Sequence, residues 1–253
     1  MIYPFVRILV AAVVVTSVPA AAQIRSNSPR TSGEGIPHDL SGIWMQVGSS
    51  STFSDEAPPV LTSWGAERFA SNKPTLGPTA VTDANDPTLR CIPPGVPYVF
   101  VVPLPFEILQ SAGQVTILFE YDHTVRRIHT DGRPHPKDLH DSESFQWMGH
   151  SIGTWEQDTL VVDTVGFNDQ TWLDRLGHPH SEALHITERI RREDQDTLDY
   201  RIIVDDPKAY TGLWRGRRLF KLRAAWGILD HSCSAQDSNY VEYKKRASDA
   251  KAK

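Results

Sequence analysis

Eight of the chain's ten histidines fall in one stretch: His123, His129, His135, His140, His150, His178, His180 and His185. The carboxylates Glu120, Asp122, Asp131, Asp163, Asp174, Glu182 and Glu188 lie among them, as do Tyr121, Trp147, Trp155, Phe167 and Trp172. Imidazole titrates near neutral pH and is the commonest metal ligand. Two chemistries therefore compete for this stretch. In the first, protons are moved without a metal. His150 and His185 lie on predicted strands, and Asp163 lies on the strand hairpinned to that of His150. A histidine held by a carboxylate is a competent general acid or base. Tyr121 and Arg189 would steady a developing oxyanion, with Glu120 in support. Such a set suits elimination, isomerisation, hydration or retro-aldol cleavage of a small organic substrate, the work of a lyase, isomerase or hydrolase. The bland alternative is that His150 and Asp163 satisfy each other structurally.

In the second chemistry, His178, His180 and His185 converge on a metal ion with His150, and Asp163 or Glu188 completes the shell. Zinc takes about four such ligands. A divalent transition metal (zinc, copper, iron or manganese) is the one cofactor these residues leave open. Pro179 makes the 178–180 segment loop-like, and no HExxH spacing is present. Ser151 lacks the strand-to-helix elbow that a hydrolase serine needs. No nucleotide-binding glycine loop and no haem or flavin signature occurs. Trp172 and Asp174, in the loop 166–181, are expected at a pocket mouth, with Trp147 and Arg189 as further substrate contacts. Trp155 and Trp214 are expected in the core.

The elements that must position these groups are short strands. Alternating runs flanked by turn residues predict strands from Gly42, then over 106–111, 115–121, 124–129, 147–155, 159–165, 183–191, 197–204 and 213–222, with a further one at 240–243. A short helix is expected within 61–70, capped by Thr62 or Ser63. The seven prolines from Pro74 to Pro103 require an extended segment over 72–105, expected to wrap the outside of the core. The fold class is all-β, an antiparallel up-and-down barrel with a long Pro-rich loop and few short helices. Closing such a meander removes its exposed edges. Polar residues on several strand faces suit a barrel with a ligand-holding cavity better than a dry sandwich.

Arg7, the apolar run Ile8–Val15 and Ala20–Ala22 match a secretory signal peptide. Residues 1–22 are expected to be removed and 23–38 to form a disordered leader. One barrel domain would then span 39–245, with a flexible tail at 246–253. Secretion or a periplasmic location follows. Cys91 and Cys233 are the only cysteines, and in an oxidising compartment they are expected to pair. Net charge is −5, with no basic run before Lys244-Lys245-Arg246. Nucleic acid is therefore not an expected partner, and no second apolar run is long enough to span a bilayer. The expected partner is a small-molecule ligand or substrate.

Gly42-x-Trp44 at the first strand, followed by hairpins in series, resembles the lipocalin or calycin superfamily. That likeness implies a Gly-x-Trp at the closed end of a barrel and a non-catalytic carrier of an apolar ligand or metal ion as the alternative function. The long Pro-rich segment after the first strand departs from that family's eight-strand order. A longer likeness runs from Asn85 to Tyr210. NDPTLRCIPPGVP (85–97), EYDHTVRRIHTDGRPHP (120–136), WMGHSIGTWEQDTLVVDTVGFND (147–169) and GHPHSEALHITER (177–189) resemble a broad family of secreted bacterial proteins of unassigned function. It implies one real domain and transfers no chemistry.

Overall fold

The computed structural model describes residues 38–139, 147–230 and 232–233. The segments expected to form the signal peptide, nearly all of the leader, the 240–243 strand and the tail, together with His140, lie outside them. Among the described residues nine strands close into one barrel in sequence order. They are β1 (Gly42–Gln46), β2 (Phe106–Ser111), β3 (Gln114–Phe119), β4 (Val125–His129), β5 (His150–Glu156), β6 (Thr159–Val165), β7 (His185–Arg192), β8 (Thr197–Asp205) and β9 (Trp214–Leu222). No described helix is long and apolar enough to cross a membrane.

The two-residue period of each strand decides its inward face. On β8, Leu198, Tyr200, Ile202 and Val204 are buried, and on β6 Leu160, Val162 and Thr164 are. Asp163, between Val162 and Thr164, must therefore point outward. Neighbouring strands run antiparallel except β4 and β5, which are parallel through Ile128↔Ser151 and His129↔Ile152. Parity requires this. Strand direction must return to itself around a closed ring, so nine strands cannot all alternate. A parallel neighbour needs a crossover instead of a tight turn. The connection between them supplies it, and its described part at 130–139 lies over the outside of the barrel.

The interior is filled. Trp44, Phe106, Ile108, Ile117, Phe119, Ile128 and Phe220 are buried, and the Pro-rich segment contributes more than the sequence suggested. Instead of wrapping the outside throughout, it turns inward at Val96, and Val96 and Tyr98–Val101 are buried. Phe100 packs against Tyr200 at 4.6 Å, Phe119 at 5.1 Å, Phe106 at 5.3 Å and Phe220 at 6.0 Å between ring centres. Apolar burial outweighs the extended, proline-dictated backbone: fully burying such a side chain is worth about 1.5–3 kcal/mol.

One charged pair also lies inside. Arg126 is 1% exposed and Glu188 0%. Arg126 Nη1 donates to Glu188 Oε1 at 2.8 Å, and Nη2 binds Oε2. Tyr200 donates to the same carboxylate at 2.9 Å. Ser151 and Thr164 accept from the guanidinium at 3.1 and 3.0 Å. These bonds complete the pairing that buried charges need.

At one end Trp44 donates from Nε1 to the Leu40 carbonyl at 2.9 Å, and the Arg192 guanidinium lies 5.2 Å from its ring centre. Helix α1 (Ser63–Ser71) is capped by Thr62, whose side chain accepts from Gly65 N–H at 3.1 Å. It packs flush on the loop after β8, where a Cβ on Gly65 would stand 2.2 Å from the Ala209 carbonyl oxygen. Cys91 and Cys233 form a disulfide. By loop entropy a closure of 142 residues is worth about 4–5 kcal/mol.

Candidate active site on the outer face of the barrel

The crossover from β4 to β5 lays the histidine-rich segment over outward-facing residues of β5 and β6. Pro134 and Pro136 flank His135. They hold the backbone extended on both sides, so the imidazole reaches down to the sheet. Leu139 then passes over Gly166, where a Cβ would lie 3.2 Å from it. Gly149 has a positive φ of 64°, and a Cβ there would stand 2.7 Å from Thr164 Cγ2 and 2.9 Å from Phe167 Cζ. Close approach at this glycine aims the start of β5, and hence His150, at the underside of the crossover.

Four side chains join in series. His185 Nε2 is hydrogen-bonded to Asp163 Oδ1. The other carboxylate oxygen, Oδ2, lies 3.3 Å from His135 Nε2. His135 Nδ1 lies 2.8 Å from His150 Nδ1. The His129 ring is stacked near His150, with ring centres 5.4 Å apart. The Asp163 and His185 side chains are 43% and 44% exposed, so one end of the series meets solvent. Burial, then the charges of His135, His129 and Arg133, lowers the pKa of His150. Burial followed by Arg133 lowers that of His129. Both effects favour neutral imidazole at neutral pH.

The bond between two ring nitrogens constrains the protons. If His135 donates from Nε2 to Asp163, its Nδ1 carries the lone pair, and His150 must donate from its own Nδ1. His150 Nε2 is then a base. On taking a proton, its imidazolium is stabilised through His135 by Asp163. This is the logic of a carboxylate-oriented histidine with one further imidazole in the relay.

The structure thus brings His150, Asp163 and His185 together and adds His135 and His129, which the sequence reading left without a role. The signal for His135 was its pair of flanking prolines. The group sits on the outer face, not in a cavity inside the barrel, because the interior is occupied by aromatic side chains and the Arg126–Glu188 pair.

Other expected site residues stand elsewhere. His178 Nδ1 pairs with buried Asp174 at 2.8 Å. Its ring lies between Phe69 and Trp214, at 5.0 and 4.8 Å. His180 receives Thr171 Oγ1–H at Nε2, 2.7 Å away, and its Nδ1 lies 3.2 Å from the Ser181 carbonyl. His178 and His180 are therefore engaged apart from His185. Among the described residues no three His, Cys, Asp or Glu side chains are grouped to hold a metal ion. His135 illustrates why: its two nitrogens face different partners, so no single ion can take it together with both.

Trp172 is 5% exposed and, with Thr171 and His180, lines a separate cleft of about 330 Å³. Glu120 accepts the Leu229 N–H at 2.9 Å, and Tyr121 shares a hydrogen bond with Thr88. Glu120 therefore helps hold the segment that leads to Cys233. Trp147 is half-buried where the crossover returns to β5. Arg189, exposed on β7, pairs with Glu156 at 2.9 Å. Comparison with protein-family models and with curated proteins finds no match.

Proposed function

We propose that the chain is an exported enzyme that moves protons on a small organic molecule, as a lyase, isomerase or hydrolase. His150 is its base and Asp163 its charge anchor. The observation that carries this reading is the unbroken series His185–Asp163–His135–His150, open to solvent at one end and neutral at the other. A purely structural pair would need two of these groups; four in series provide a route for a proton. Among the chemistries the histidines suggested, the metal-free one fits best, because His178 through Nδ1 and His180 through both ring nitrogens are engaged by partners apart from His185. The carrier reading gains little support from a barrel whose interior is full. Export is supported by Arg7, the apolar run Ile8–Val15, Ala20–Ala22 and the Cys91–Cys233 bond. The likeness of segments 85–97, 120–136, 147–169 and 177–189 to secreted bacterial proteins points the same way.

The test is proton NMR in deuterated buffer with a panel of small hydroxy, keto and unsaturated acids and their esters. Deuterium uptake or product formation is expected, falling about 100-fold or more in His150→Ala with an unchanged circular dichroism spectrum. Asp163→Asn should also slow it. Equal rates for the native chain and His150→Ala, or no reaction across the panel, would refute the proposal.

A further inference from the structure

Beside the histidine series, on the outer face beyond β6, the strands β7, β8 and β9 form an open trough of about 550 Å³. Strand register builds its floor. Thr187 pairs with Ile203, and Ile203 with Arg215; one step along, Arg189 pairs with Arg201, and Arg201 with Arg217. Strands lie about 4.8 Å apart, so four guanidiniums bracket one apolar side chain and one hydroxyl. The segment 54–56 forms the wall. Asp55 is engaged by Arg218 at 3.0 Å, leaving Glu56 as the remaining acid of that wall.

Asp199 holds Arg201 at 3.0 Å and Arg217 at 2.7 Å. One carboxylate thus positions two guanidiniums, and Glu193 stands 3.8 Å from Arg217 on its other side. Arg189 pairs with Glu156, an exposed contact of the kind that exchanges readily. Among the described residues none of these pairs, nor that of Arg217 with Glu193, takes up Arg215. Guanidinium recognises carboxylate and phosphate through paired N–H donors. Ile203 beneath it favours an organic anion over an inorganic one.

The trough adjoins the proposed site. Thr187 is in register with Asp163 on β6 and is two residues, about 7 Å, along β7 from His185. We infer that it binds small amphiphilic organic anions, carboxylates or phosphate monoesters, with the anionic head on Arg215 and Arg201. The rest of the molecule lies over Ile203 toward Thr187, His185 and Asp163. This names the substrate class of the site proposed above and rests on that reading.

The test is isothermal titration of the full chain with benzoate, phenyl phosphate, inorganic phosphate and neutral benzyl alcohol. Benzoate or phenyl phosphate should bind saturably, which of the two binds tighter identifying the head group, and benzyl alcohol should not. Arg215→Gln, at an exposed position, should weaken binding about ten-fold or more, and Arg127→Gln on β4 should not. No saturable binding of either organic anion, binding that survives Arg215→Gln, or inorganic phosphate binding as tightly as phenyl phosphate overturns the inference. The two readings fail separately. Binding lost in Arg215→Gln without turnover on any substrate leaves the trough standing and sinks the enzyme. Turnover on neutral substrates without anion binding does the reverse.

Discussion

Phe100→Ala tests whether the barrel interior is a packed core or a latent cavity. Phe100 reaches the centre from the Pro-rich segment and touches four aromatic rings from β2, β3, β8 and β9, none nearer than 4.6 Å or farther than 6.0 Å between centres. Truncation removes most of a buried ring and leaves its neighbours, fixed on paired strands, unable to collapse. The cost for such a change is about 3–5 kcal/mol. For a chain of this size each kcal/mol lowers Tm by about 2–4 °C, so the transition should fall by roughly 6–20 °C. Differential scanning calorimetry reads that shift. The void should also bind a small apolar molecule, as engineered apolar cavities do. Benzene-saturated buffer should therefore raise the Tm of the variant and leave the native chain unmoved. A variant within about 2 °C of the native Tm, or a native chain stabilised by benzene as much as the variant, would show that the interior is not filled as described.

Two further predictions follow from buried charge. Glu188→Gln leaves Arg126 charged and without a full partner inside the barrel, which should cost about 3–5 kcal/mol by urea unfolding. The double change Arg126→Met with Glu188→Leu should recover most of that, and a double variant as unstable as the single one would contradict the pairing. The second concerns acid. Burial lowers the pKa of His129, His150 and His180 below the value of about 6.5 that an unfolded imidazole shows. Between the lowered values and about 6.5 the unfolded chain binds more protons, so stability rises with pH and levels off near 7. The urea midpoint should therefore drop from about pH 7.5 to about pH 5.5, less steeply in His150→Gln; an unchanged slope in that variant would count against a buried, neutral His150.

Much of the barrel was legible because alternation marks each strand directly. The predicted 106–111 and 159–165 coincide with β2 and β6, and 197–204 and 213–222 lie within a residue of β8 and β9. The helix and its Thr62 cap follow the same local rules. What alternation cannot tell is which face looks inward when loops cover the outside. Asp163 and His185 were placed on the right strands, yet they face out, because Val162, Thr164 and Ile186 claim the interior. Two other features depend on contacts remote in sequence. Prolines argued for an exposed wrap, while the apolar run Val96–Val102 between them held the signal for insertion. His135 gained its role only through a parallel step, which follows from the count of strands around the ring and from no local pattern.

That parallel step also has a mechanical side. The ladder between β8 and β9 runs in register from Thr197↔Lys221 to Val204↔Trp214, whereas β4 and β5 meet at Ile128↔Ser151 and His129↔Ile152. Local opening begins where a structure has least to break, so this short seam is where the wall is expected to open first. His129 stands on one lip and His150 on the other, with His135 spanning from the crossover above. Each fluctuation of the seam therefore changes the spacing of the proposed base from its neighbours. A ligand that bridges the crossover and β6 would act as a clamp on the gap, coupling occupancy of the surface to the rigidity of the whole cylinder.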